Sequence, residues 1–562
     1  MASTPCTATT VTQALEALKD VQDRGFTFAT PAGERVIPFA ELHGTVGRVA
    51  ASIRAAGVDV GARVALVLPE PDQFVIAFLA CIAAGAVPVP MFPPVSMRAT
   101  TAYEATLSHI CATAGVTMCI ASEASTACVG RALPSTERRL MSELLAEAPA
   151  GPLFRPAQPS DVAFLQFTSG STAQPRGVVV THQNLAANAT AFMFHGLGAD
   201  PDFDKGVSWL PLYHDMGLIG FVIGPLFYGI PVVFLPTATF VRSPRSWLEA
   251  ISRHRGTITY APNFAYQLVA RRVAASDLTG LDLSCLKHAG CGAEPISADT
   301  LRAFATALAP AGFSPKAFIP SYGLAESTLA VAFDTRHEGL GTDRVQDVAL
   351  EQGRAEPGEG RELVACGRAF PGHEIGIFDP ETGARVNDRM VGEIRLKGPS
   401  VCAGYYGDRA LSAGLFEGAW LRTGDLGYLV DGQLFVCGRM KEMIIVRGRN
   451  FFPTDLEWAL ADAGLKRPSV AFGVTLAGVE QLAVCVEGTR REQAELKALV
   501  TQVLGDQMAL TVGDVRVVPV GTLPRTSSGK LQRTRVRAMY NTDTLPAFTS
   551  DADPAAEAPL GA

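Results

Sequence analysis

Phe167-Thr-Ser-Gly-Ser-Thr-Ala-Gln-Pro-Arg-Gly177-Val-Val-Val-Thr-His182 joins a loop dense in hydroxyls and glycine to a β-branched run. Such a loop offers backbone N–H and side-chain O–H donors to a polyphosphate, and Arg176 adds a fixed positive charge. Read alone, the same stretch fits a solvated loop between strands. The spacing from Gly170 to Gly177, with no Gly-Lys-Ser/Thr behind it, argues against a Walker A loop. Outward from it, further strand-like runs (Arg63-Val-Ala-Leu-Val-Leu68, Pro231-Val-Val-Phe-Leu235) alternate with helix-like segments at 246–254 and 298–309. That alternation predicts an α/β body with mostly parallel strands.

At 562 residues the chain exceeds one hydrophobic core, so a layered body and at least one further domain are expected. A net charge of −7, with 18% charged residues, gives no general reason to bind nucleic acid or an anionic membrane. Eleven cysteines run from Cys6 to Cys485 without a CxxC pair, which predicts reduced thiols, no structural zinc and a cytoplasmic protein. No basic segment followed by an apolar stretch opens the sequence, so no secretory signal is expected. Two apolar stretches have the composition of candidate membrane spans. Residues 74–87 are too short, and 216–235 are interrupted by Pro225 and Pro231, so both read as buried helix running into strand.

The composition shifts near residue 437. Residues 438–540 hold 15 Lys and Arg against 10 Asp and Glu, which suggests a small C-terminal domain with its own ligand or partner. Residues 541–562 are rich in Pro, Ala and Asp and are expected to be a disordered tail or linker.

Other stretches carry chemistry in their residue types. In Trp209-Leu-Pro-Leu-Tyr-His-Asp-Met-Gly217, His214 can orient a substrate carboxylate or the phosphate it attacks. Pro320-Ser-Tyr-Gly-Leu-Ala-Glu326 sets an aromatic ring for base stacking near a carboxylate suited to Mg²⁺. Asp425, in the glycine-flanked turn Leu421-Arg-Thr-Gly-Asp-Leu-Gly427, can accept from two ribose hydroxyls. Lys530 ends Thr522-Leu-Pro-Arg-Thr-Ser-Ser-Gly-Lys530, where a mobile ammonium can reach a phosphate held by the body. Each stretch alone also has a purely structural reading.

Taken in order, these motifs with Gly438-Arg439 resemble the adenylate-forming superfamily of acyl-CoA synthetases, peptide-synthetase adenylation domains and luciferases, over roughly residues 10–537. Three stretches, 208–220, Ala261-Pro-Asn-Phe-Ala-Tyr266 and 438–450 followed by Pro453, are most similar to fatty acyl-AMP ligases. The polar segment at about 336–362 resembles the insertion by which those ligases differ from acyl-CoA synthetases and which is associated with excluding CoA; an ordinary surface loop is the other reading.

The resemblance implies a large multi-subdomain adenylation body at 1–437, a small mobile α+β domain at 438–540, and ATP with Mg²⁺ as cofactors. By position, Thr168, Ser169, Gly170, Ser171, Thr172 and Arg176 resemble the loop holding the β- and γ-phosphates. Gly292, Ala293, Glu294 and Pro295, with Ser321, Tyr322 and Gly323, resemble the adenine-binding elements. Asp425 and Arg439 resemble the ribose ligands, Glu326 the magnesium carboxylate, Lys530 the catalytic lysine and Lys441 the hinge. Trp209, Phe264 and Leu268 are expected beside the acyl chain, although by pattern a core-packing role fits Phe264 and Leu268 as well. Ala173 and Arg176 depart from the glycine and lysine of many relatives; arginine keeps the charge but binds as a fork. The implied reaction makes acyl-AMP from a fatty acid and ATP, then passes the acyl group to an acyl carrier protein with a phosphopantetheine arm. An acyl-CoA synthetase, a peptide-synthetase adenylation domain or a non-catalytic nucleotide-binding module are the alternatives.

Overall fold

The computed structural model describes residues 6–30, 33–94, 100–147, 151–168, 175–334, 337–446, 449–476, 479–508, 510–526 and 529–548. Among these, beside a five-stranded antiparallel sheet that includes Trp420–Val430 and Gln433–Arg439, the body is built on two sheets with parallel strands. The larger has nine strands, in the order 368–369, 330–333, 318–323, 288–291, 258–261, 206–208, 232–234, 25–30 and 33–38. Its central strands run parallel and its outer ones antiparallel. The second sheet is wholly parallel, with Arg63–Val67 at its centre.

The two apolar stretches are core elements. Pro71 opens the helix Pro71–Ala83, where its missing N–H is no loss, and every residue from Phe74 to Ala83 is buried. A helix apolar on all sides must be enclosed, and this one packs on the helix Phe39–Ala55 and the strands of the parallel sheet. Residues 215–228 form a chain of short helical turns that Gly229, at φ +65°, closes ahead of the strand Val232–Phe234. No helix among the described residues is long and apolar enough to cross a membrane.

Of the strand-like runs singled out in the sequence, one departs from the expected parallel pattern. Arg176–Thr181 pairs antiparallel with Val162–Thr168, because a short loop joins the two and can only make a hairpin.

The C-terminal unit has a three-stranded sheet (Ser469–Leu476, Val479–Gly488, Val512–Pro519). Leu456, Leu460, Val500 and Leu504 of the helices Pro453–Asp462 and Gln493–Met508 fill one face, and Val536 of the helix Arg533–Asn541 fills the other. The compositional border at 437/438 falls inside the strand Gln433–Arg439, which the body holds by pairing it with Trp420–Val430; the separate core begins at Ile444. At the other end, Asn541 closes the last helix and Leu545 packs on the domain, so residues 541–548 extend that fold. The rest of the expected tail lies outside the described residues.

The segment near 336–362 is a packed unit. Thr342–Val345 and Arg361–Val364 pair antiparallel around the short helix Asp347–Glu351. Val345, Leu350 and Leu363 bury against Tyr428, Phe435 and Phe452. Arg449 forks onto Glu351 with two 2.8 Å bonds, and Arg361 meets Asp455 at 2.8 Å, so the segment ties the body to the C-terminal unit.

Candidate active site

The site grows from strand ends. The turn Arg422-Thr-Gly-Asp425 lies in the strand Trp420–Val430, with Gly424 at φ +71°, a conformation that favours glycine. Thr423 Oγ1 donates to the Ile394 carbonyl at 2.6 Å and accepts from the Asp425 N–H at 3.0 Å. The buried Glu393, held by Arg395 and Arg422, fixes the strand beneath. Asp425 is thereby set, 7% exposed, between two donors: Tyr322 OH at 2.7 Å and Arg439 Nε at 3.1 Å. Burial, with the Asp425 carboxylate beside it, pushes the Tyr322 phenol well up, so it stays a donor.

Opposite, the strand His288–Cys291 delivers the turn Gly292-Ala-Glu-Pro295. A side chain at Gly292 would meet Ser321 Oγ at 2.7 Å, so glycine lets the two segments close together. Ala293 sits at φ +67°, a left-handed conformation that costs a non-glycine residue about 1 kcal/mol. Its carbonyl accepts from Lys530 Nζ, which arrives from the C-terminal unit. Glu294 Oε1 accepts from the Phe264 N–H at 2.6 Å.

His214 is oriented by Asp215, whose Oδ1 lies 2.6 Å from Nδ1. Burial would raise the Asp215 carboxyl, but His214 and Lys530 outweigh it and hold the group below its ordinary range. Burial pulls the Lys530 ammonium down, against Glu294 and Asp215, which favour its charge; Arg439 adds to the pull.

Glu326 accepts from Tyr405 OH at 2.7 Å, and Arg176 lies over the Tyr405 ring at 5.6 Å from its centroid. Tyr405 therefore links the expected magnesium carboxylate to the arginine of the phosphate loop. It was missed from sequence, because Glu326 stands 79 positions away and nothing local marks the tyrosine.

Most of these groups border one cavity of about 1370 Å³, whose lining residues do not include Arg176 or Tyr405. Thr168, His214, Gly292, Ala293, Glu294 and Pro295 line it, as do Ser321, Tyr322, Gly323, Glu326, Asp425, Arg439 and Lys530. Ser169, Gly170, Ser171 and Thr172 lie outside the described residues, but Thr168 and Pro175 on either side of that loop both line the cavity. Lys441 lies apart, exposed on the turn Met440–Glu442.

The expected acyl-chain residues separate. Phe264 lines the cavity, together with Asn263, Gln267 and Arg271 of its helix. Leu268 packs on the body core instead, and Trp209, 2% exposed, stacks on Phe240 at 3.8 Å. Neither is among the lining residues of the large cavity; Trp209 borders only a small recess next to His214 and Lys530. The apolar wall comes from residues not foreseen: Phe192, Met193, Leu197, Phe221, Tyr260 and Phe333.

Glu326 brings a carboxylate to the cavity, an oxygen donor of the kind Mg²⁺ takes. No group of three His, Cys, Asp or Glu among the described residues suits a protein-only metal cage, and Mg²⁺ commonly takes one or two carboxylates plus substrate phosphates.

The family described as AMP-binding enzyme matches residues 17–406. A putative acyl-CoA synthetase of Caulobacter vibrioides is 37% identical over 512 residues, covering 88% of this chain and 89% of the relative. The medium-chain-fatty-acid–[acyl-carrier-protein] ligase JamA of Moorena producens is 34% identical, over 80% of this chain and 79% of its own. A solved structure from a study of fatty acyl-adenylate ligases of E. coli and L. pneumophila superposes with a TM-score of 0.90 at 34% identity, covering 96% of this chain and 99% of its own.

Proposed function

Because the chain belongs to the AMP-binding enzyme family, we propose that it activates a fatty acid with ATP to acyl-AMP, releases pyrophosphate, and transfers the acyl group to the phosphopantetheine thiol of an acyl carrier protein. The observation that carries this reading is the convergence of Asp425, Tyr322, Arg439, Glu326, His214 and Lys530 on one cleft with an apolar wall.

A fatty acid is already anionic at neutral pH, so its attack on the α-phosphate needs no general base. It needs alignment and relief of charge repulsion. Asp425 takes the ribose hydroxyls and the 292–295 and 321–323 segments enclose the base. His214, braced by Asp215, guides the carboxylate in line. As the carboxylate oxygen bonds to the α-phosphorus, the bond to the β-phosphate oxygen breaks and pyrophosphate leaves, while Lys530 balances the charge on the phosphate oxygens. Mg²⁺, held by Glu326, would add neutralisation of the phosphates when bound. In the thiol step Lys530 has to withdraw, which a rotation about Lys441 of the C-terminal domain expected at 438–540 achieves, with Gly438 and Arg439 staying paired to the body. The positive excess of that domain suits an acidic carrier. Eleven free cysteines suit a reducing cytoplasm.

The test is mass spectrometry of products from ATP and a fatty-acid panel, with and without CoA or a phosphopantetheinylated carrier. Acyl-AMP with acyl-carrier and little acyl-CoA is expected. Abundant acyl-CoA would support the activity named for the Caulobacter relative.

A further inference from the structure

Glu442 and Arg533, 91 positions apart in the chain, meet in an ion pair on the wall of the cleft. We propose that they are positioning residues that lock the hairpin bearing Lys530 to the exit of the pivot at Lys441, so that lysine and pivot move as the two ends of one rigid lever. The inference rests on reading Lys530 as the lysine of acyl-adenylate formation and Lys441 as the pivot.

The contacts run unbroken from the pivot to the lysine. Glu442 stands one residue past Lys441, on the turn Met440–Glu442. The Arg533 guanidinium divides itself between two carboxylates: Nη1 donates to Glu442 Oε2, and Nη2 to both oxygens of Glu457, at 2.9 and 2.8 Å. None of the three side chains is more than 21% exposed. Glu457 is anchored in turn, because its Oε1 also accepts from the Ala471 N–H at 2.9 Å in the strand Ser469–Leu476. That strand edges the three-stranded sheet. Arg533 stands on the helix packed on one face and Glu457 on a helix packed on the other, so their pairing staples both helices across the edge.

Arg533 also roots the lysine. It opens the helix Arg533–Asn541, directly behind a hairpin closed by its own backbone. There the Thr526 N–H donates to the Lys530 carbonyl at 2.7 Å and the Gln532 N–H to the Pro524 carbonyl at 2.8 Å, while the Lys530 N–H donates to Thr526 Oγ1 at 3.0 Å. At the base of the hairpin the buried Leu523 gives its N–H to Glu487 of the sheet at 3.0 Å. Such a cluster is poorly explained as a source of stability, since ions withdrawn from water gain little over apolar packing of the same volume. What it supplies is register: a planar guanidinium shared by two carboxylates is satisfied in one arrangement, and here that arrangement fixes the pivot exit relative to the lysine.

The experiment is a double-mutant cycle on single-turnover acyl-AMP formation by the full chain. Glu442→Ala leaves Arg533 its pairing with Glu457, so the unit keeps its fold. It is expected to slow acyl-AMP formation by about ten- to a hundredfold at unchanged ATP affinity, the scale on which a small misplacement of a reacting group costs rate. Glu442→Gln, which keeps an acceptor for Arg533, is expected to restore part of the loss. In a Lys530→Ala background the same Glu442→Ala change is expected to cost less than about twofold, because an effect carried through the lysine then has nothing to act on. An equal loss in both backgrounds would make Glu442 a support of the fold alone and overturn the proposal, as would no loss in either. A second readout, amide hydrogen exchange of the chain without ATP, needs no turnover. Glu442→Ala is expected to speed exchange in the peptide carrying Thr526, Lys530 and Gln532 by at least about threefold, while the strand Val479–Gly488 keeps its protection. Unchanged exchange in the hairpin, or a rise spread evenly over the whole unit, would overturn the coupling. A wild-type chain that gave this exchange pattern but made no acyl-AMP would count against acyl-AMP formation and not against the lock.

Discussion

The ribose end of the cleft and its lysine end are built on opposite plans. At the ribose end, Asp425, Tyr322 and Arg439 all stand on strands of the body, and Tyr322 and Arg439 both donate to Asp425. At the lysine end, a loop of a separate unit reaches across and rests one ammonium on one carbonyl. Under the proposed reaction, the first would grip the nucleotide and the second would supply charge. On that reading, one site would retain its nucleotide while its catalytic face changes.

The largest expected effect separates rate from grip. Lys530→Ala is expected to lower acyl-AMP formation by about 10²- to 10³-fold, as for loss of a transition-state donor, with little change in ATP binding; single-turnover kinetics beside nucleotide titration would read both. Asp425→Ala should do the reverse, weakening ATP by about 2 kcal/mol, roughly thirtyfold in affinity. If that variant lost rate at unchanged ATP affinity, the division between gripping and charge supply would break.

Two further substitutions sharpen it, because they concern how the lysine-bearing unit is tied to the body. Burial pushes the Asp455 carboxyl up to about 6, with Arg361 opposing. A carboxyl raised on folding contributes stability that is fully present below its unfolded pKa, near 3.8, and is lost as pH rises through about 6. Wild-type protein should thus lose on the order of 2 kcal/mol relative to Asp455→Asn between those limits, seen by denaturant unfolding at several pH values. The smallest effect belongs to Glu351→Gln, which removes the charge under Arg449. The arginine side chain is 41% exposed, so only about 0.5 kcal/mol is expected, read as a small shift of the unfolding midpoint.

Much of the architecture was legible because it is written in local pattern: β-branched runs separated by helix-period segments gave the α/β body, and Pro225 and Pro231 marked 216–235 as broken core elements. The antiparallel pairing of Arg176–Thr181 was not legible from its valines, which look the same in either direction. Around the site, Asp425 and Glu326 stood out by residue type in glycine-rich turns. Tyr405 did not, since its meaning lies wholly in a partner far along the chain. The helix Asn263–Arg272 shows the limit most clearly. Periodicity says which residues share a face, but not which neighbour that face meets, and the cleft takes Asn263, Gln267 and Arg271 while Leu268 turns to the core. Trp209, close to His214 in sequence, likewise spends its ring on Phe240.

Arg439 pairs with Asp425 on the last residues of the strand that precedes Lys441, with only Met440 between. A pivot at Lys441 would begin just past that pairing and leave it in register. The reactive mixed anhydride would then stay leashed by its nucleotide handle while the far face of the cleft is exchanged, and a labile intermediate would be handed on rather than spilled into water.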